Sequence, residues 1–148
     1  MLKEALLEIF ERDLDKLANE INSYADEDKL WIIDGEVSNS AGNLCLHLLG
    51  NLNHFVGATL GASGYVRNRE SEFSSKNVSR RDLLASIEKT KSAVSKTLNK
   101  LSGGSFERDF PAEKHDKTVK TDFMLLHLLA HFNYHLGQIN YHRRLIEK

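Results

Sequence analysis

The sequence predicts an all-α fold, an up-down four-helix bundle with long loops, in one domain spanning residues 1–148. Two observations carry that reading. Four separate stretches place apolar residues three or four apart among polar ones, and no stretch alternates as a half-buried strand must. Between these stretches fall capping residues and glycines, where helices start and stop.

Leu2, Leu6, Ile9, Leu14, Leu17, Ile21 and Tyr24 share one helical face, which predicts a first helix over 2–24, about six turns long. Asp26 to Lys29 breaks the pattern, Leu30 to Ile33 is an apolar segment expected to tuck onto the core, and Asp34-Gly35 turns the chain. Ser38, Asn39 and Ser40 offer caps for a second helix over 40–59, with Gly57, Gly61 and Gly64 at its end. The polar stretch from Gly61 to Asn77 is expected as an ordered loop. Ser79 and Asp82 have the spacing of a capping box for a third helix over 79–101, apolar at Leu83, Leu84, Ile87, Val94, Leu98 and Leu101 and closed by Gly103 and Gly104. Residues 105–121 hold the sole proline, Pro111, and no helical period. Asp122 is placed to start the fourth helix, over 122–147, apolar at Phe123, Leu126, Leu129, Ala130, Phe132, Leu136, Ile139 and Ile146. The links at 60–78 and 102–121 exceed the usual helix connection and should lie over faces or ends of the bundle. The second has room for a short hairpin.

Composition narrows the function classes. Twenty basic and 21 acidic residues leave a formal charge of −1, so no large attraction to nucleic acid or to an anionic membrane is built in. No run approaches the roughly 18 apolar residues of a membrane span. Acids interrupt the apolar residues of the first ten positions, which therefore do not read as a signal peptide. The lone Cys45 rules out an internal disulfide and cysteine-based zinc cages, and fits a reducing cytoplasm. Flanked by Leu44 and Leu46, it is expected as a small buried hydrophobe rather than a nucleophile.

The chemistry lies in the histidines. There are seven, and His127, His131, His135 and His142 all fall on the fourth helix. His131 and His135 lie one turn apart on one face, close enough to share a cation, and His47 on the second helix can supply a third nitrogen. His127, His131 and His135 form a ladder whose outer members stand about 12 Å apart along the axis, too far to share one ion. His131 therefore pairs with one neighbour or the other, and spacing alone does not choose. His54, about 10 Å along the helix from His47, is a poor co-ligand. A single histidine on such a helix is usually a satisfied core residue, but burying a pair without a shared partner is costly. Three imidazoles would leave a coordination position open for water or substrate. Two other metal classes fall away. No glutamate is followed three residues later by a histidine, as di-iron bundles require, and Phe132 stands where a zincin places its glutamate.

These residues resemble the DinB/YfiT-like superfamily of bacterial four-helix bundles over nearly the whole chain. The likeness rests on Asn39 to Leu44 leading to His47 and Gly50-Asn51-Leu52, on Tyr65 to Arg69 with Glu72-Phe73, and on His131-x-x-Tyr134-His135-x-Gly137-Gln138-Ile139. Leu136 stands where an arginine often precedes Gly-Gln in that pattern. The resemblance implies His47, His131 and His135 as ligands of one divalent ion, with zinc, nickel and iron all suited to three imidazoles. It also implies a homodimer, for which Leu2, Leu6 and Phe10 are candidate contact residues. Characterised members of the superfamily include transferases and isomerases that use low-molecular-weight thiols such as bacillithiol or mycothiol, and others are described as metal-dependent hydrolases. The function expected is thus a metal-dependent thiol S-transferase or hydrolase acting on a small electrophile. The alternative is a non-catalytic metal-binding or dimerisation protein of stress response. Asn51 and Gln138 are positioned to orient ligands or bound water, Tyr134 to donate a proton, and Arg67 and Arg69 to hold a carboxylate of substrate or thiol. Arg67 and Arg69 are equally placed to pair with Glu70 or Glu72.

Overall fold

The computed structural model describes residues 1–148 and is all helical. Its long helices are α1 (Leu2–Ser23), α2 (Ala41–Leu52), α4 (Arg80–Lys100) and α5 (Thr121–Ile146), with a short α3 (Arg69–Ser74) between α2 and α4. Both α1 and α2 pack against α4 and α5, while neither α1 with α2 nor α4 with α5 shares an extended contact. Helices joined by the 24–40 and 101–120 links are therefore diagonal in the bundle, which is why those links are long. The apolar periodicities meet in one core of Leu6, Phe10, Leu14, Leu17 and Ile21 from α1, Leu48 and Leu52 from α2, Leu83 and Ile87 from α4, and Leu125, Leu128 and Phe132 from α5. No helix is long and apolar enough to cross a membrane.

Several ends form as their residues dictate. Ser40 Oγ accepts from Asn43 N, and Ser79 Oγ accepts from Asp82 N. After Leu52 the chain continues helically, but residues Asn53–Leu60 take the wider π form. Asn53 Nδ2 donates to the Leu49 carbonyl and to Thr90 Oγ1, so a side chain intrudes on the regular ladder there. Residues 61–77, expected as loop, contain α3, which Asn68 caps by accepting from Ser71 N. Six residues, fewer than two turns, leave no room for a hydrophobic period, and this hid it in the sequence. The fourth long helix starts at Thr121, whose Oγ1 bonds to the Arg108 carbonyl, so Asp122 lies inside the first turn.

Two apolar stretches depart from expectation. Leu30 is buried and Trp31 packs on Gly42, but Ile32 and Ile33 are exposed. On α5 the buried face runs through Met124, Leu125 and Leu128, and Phe123, Leu126 and Ala130 point to solvent. From Phe123 to Ala130 the helix is apolar nearly all round, so periodicity alone could not fix which side faces inward there. The 102–121 link contributes Phe106 and Phe110 to the core. It also folds back as a small hairpin through the bridges Asp109–Lys120 and Lys114–Lys117.

Candidate metal centre

α2 and α5 are neighbours in the bundle, and their facing sides bring three imidazoles together. One ring nitrogen each from His47, His131 and His135 lies within 4.8 Å of the others. His47 Nε2 and His131 Nε2 are 3.2 Å apart. Two imidazole nitrogens bound tetrahedrally to one zinc-like ion at about 2.0–2.1 Å stand about 3.3 Å apart, so this spacing needs almost no adjustment to hold a cation.

Hydrogen bonds to the outer ring nitrogens set the tautomers. His47 Nδ1–H donates to Glu72 Oε1 at 3.0 Å, and His135 Nδ1–H donates to Gln138 Oε1 at 2.7 Å. Each bond leaves Nε2 with a free lone pair. His131 differs, because its buried Nδ1 has no partner. The consistent arrangement has His131 Nε2–H donating to His47 Nε2. Moving that proton to Nδ1 would turn the lone pairs of all three Nε2 atoms free. In that tautomer the His131 Nδ1–H remains without an acceptor, so the case for a cation rests on the three Nε2 atoms and not on this nitrogen.

Burial pushes the His131 imidazole down to about 4, and the neighbouring His135 and His47 push the same way. Burial also lowers His47, against the opposing pull of Glu72. Both rings are thus held neutral, the form that ligates.

Glu72 is the functional residue that sequence reasoning assigned no role of its own. It is buried, and its carboxylate accepts from His47 and from Arg67 Nε and Nη2, each guanidinium bond at 2.9 Å. This is the carboxylate–histidine arrangement that fixes ring orientation and raises ligand basicity in metal sites. Gly50 makes room for it, since a Cβ there would collide with the Glu72 carboxylate. Asn43, whose Nδ2 donates to the carbonyls of Glu72 and Ser75, straps α3 onto α2. The signal available in sequence was the glycine one turn after His47, together with a glutamate five residues after Arg67.

A family model matches nearly the whole chain. It is described as a protein of unknown function, DUF1572, and covers residues 3–148. The chain belongs to the DUF1572 family. No curated protein matches it.

The remaining candidates in this DUF1572 chain separate clearly. Arg67 is engaged by Glu72, as the pairing alternative had it. Arg69 has no carboxylate partner and lies over the Phe73 ring, 5.2 Å from its centroid. Gln138 contacts His135 as expected of an orienting residue. Asn51 is buried beside His47 on the wall of a cavity of about 430 Å³ that also includes His47 and His131. Tyr134 is 67% exposed on the outer side of His135, their rings 5.3 Å apart, and does not line that cavity. Of the ladder, His135 joins His47 and His131, while His127 lines the cavity. His54 lies against Phe55. His142 is a satisfied core residue that accepts from Tyr24 O–H and donates to the Ile32 carbonyl. Cys45 is fully buried and its thiol is pushed up to about 12, as a small hydrophobe's would be.

Proposed function

We propose that this chain is a DinB-like metalloprotein in which His47, His131 and His135 hold one divalent cation, zinc, nickel or iron, through Nε2. In this reading it acts as a thiol S-transferase or hydrolase on a small electrophile, with a low-molecular-weight thiol as co-substrate in the first case. The observation that carries the reading is the convergence of three imidazoles, two of them with Nε2 freed by Glu72 and Gln138. A cation with three protein ligands supplies an open position that lowers the pKa of bound water or thiol and polarises an electrophile. The chain's own residues then do the positioning. Glu72 and Gln138 fix the rings, Arg67 neutralises Glu72, and Asn51 offers a polar wall beside the open side. Phe55, Met124 and Leu128 give the cavity, otherwise lined by polar and charged residues, an apolar patch on which a substrate's hydrocarbon part can rest.

The homodimer belongs to the same proposal. Leu6 and Phe10 are buried in the protomer's own core, so α1 has little apolar surface to share. Phe123, Leu126, Tyr134, Tyr141 and Leu145 are exposed along α5, and no Lys, Arg, Asp or Glu stands between Asp122 and Arg143. This surface supports α5 as the contact between two copies.

The test of the enzyme reading is exchangeable coordination. Protein loaded with Co²⁺ should change its visible spectrum when azide or a small thiol is added. A spectrum indifferent to both would leave a closed site and favour the non-catalytic alternative.

A further inference from the structure

The cavity beside the three histidines has an uneven charge, and this bears on what it would admit. Its apolar side is Phe55, Met124 and Leu128. The same cavity is lined by Arg69, Lys114, His115 and His127, with Glu113 as an acid that makes no ion pair. The charge of Arg67 is cancelled by Glu72. Those of Arg69 and Lys114 are not: Arg69 meets only an aromatic ring, and the hairpin's ion pair is made by Lys120 with Asp109. Lys114 is nevertheless half-buried. An ammonium drawn partly out of water with no acid to meet it is costly to keep unless a ligand supplies the counter-charge.

The backbone holds Lys114 and His115 in place. Lys114 pairs with Lys117 across a two-residue turn, and both central residues, His115 (φ 49°) and Asp116 (φ 61°), are left-handed. Such turns favour Asn-Gly, and histidine and aspartate are among the other residues that adopt this conformation. His127, one turn before His131 on α5, adds a ring nitrogen to the same wall without needing to be charged.

We propose that the substrate of this centre is amphiphilic and anionic. Its carboxylate or phosphate oxygens would lie between Arg69 and Lys114, with His127 as a further donor. Its apolar part would rest on Phe55, Met124 and Leu128, which directs the reacting end toward the three histidines. This orientation rests on the metal reading, but the oxyanion subsite does not, because neither Arg69 nor Lys114 is a ligand. An arginine fork and an ammonium together favour an oxyanion over its neutral isostere.

The test separates the two readings. 3-Phenylpropionate, phenyl phosphate and the neutral 3-phenylpropanamide are titrated into chelator-treated full-length protein and followed by amide ¹H–¹⁵N shifts. The expected result is saturable binding of an anion with shifts at Lys114, His115 and His127, at least about tenfold tighter than the amide, and lost about tenfold or more in Arg69→Gln/Lys114→Gln. A stronger response to the carboxylate or to the phosphate identifies the oxyanion. Equal binding of the amide, unchanged binding by the double variant, or no saturable binding of either anion overturns the subsite. Metal content of the same two proteins, measured separately, judges the histidine centre alone and is expected to be equal.

Discussion

Replacing Glu72 by glutamine tests whether the carboxylate behind His47 sustains the metal centre. Glu72→Gln keeps the size of the side chain but exchanges one oxygen for an NH₂ group. That group must then face either the His47 Nδ1–H or the Arg67 guanidinium, both donors at 2.9–3.0 Å in the native arrangement. Loss of a partner behind a ligating histidine typically weakens metal binding about 10–100-fold, or roughly 1.4–2.7 kcal/mol. Arg67, whose side chain is 12% exposed, would also lose its counter-charge, and breaking a buried pair costs about 3–5 kcal/mol. The cost falls below that range if Arg67 swings out to solvent, which the exposed loop before it permits. The assay is competition for Zn²⁺ or Co²⁺ against a chromophoric chelator, with urea unfolding run in parallel. Weaker metal binding at a preserved fold is the expected result. Native affinity in Glu72→Gln, with the protein folded, would refute the orienting role assigned to this residue.

Three further outcomes follow from the same geometry. Gly50→Ala drives a methyl group into the Glu72 carboxylate and should cost about 1–3 kcal/mol of stability in urea unfolding, together with a loss of metal affinity in the direction of Glu72→Gln. Metal-free protein should lose stability on acidification from about pH 6.5 to about pH 4. The folded state holds His131 down to about 4 while the unfolded chain takes up the proton at about 6.5, so the unfolded state binds more protons across that window. The contribution is at most about 3 kcal/mol, fully present above the window, and urea titrations at several pH values measure it. Leu126→Glu places a charge in the exposed apolar face of α5, and light scattering should show the proposed dimer falling to monomer while helicity is unchanged.

The bundle was legible because its helices are long enough to display period and caps. The Leu6–Phe10–Leu14–Leu17–Ile21 face, the Ser40 and Ser79 caps and the glycine stops are all local signals. The outer face of α5 was misjudged for the opposite reason, since Phe123 and Leu126 are as apolar as the buried Met124 and Leu125. The His131–His135 pair could be read from spacing, but the choice between His127 and His135 could not, because α2 decides it by where it places His47. Glu72 was hidden in a stretch that reads as polar loop. Its role depends on α3 being strapped to α2 by Asn43 and on the missing side chain at Gly50, both of them contacts between distant residues.

The most direct measurement is the metal content of protein purified without an affinity tag, comparing the wild type with His131→Ala, His127→Ala and His54→Ala. About one divalent ion per chain is expected in the wild type, in His127→Ala and in His54→Ala, and a strong loss in His131→Ala. If the histidines only formed a polar face, the three variants would behave alike. Equal metal content in His131→Ala and the wild type would contradict the three-histidine centre and the enzyme reading that depends on it.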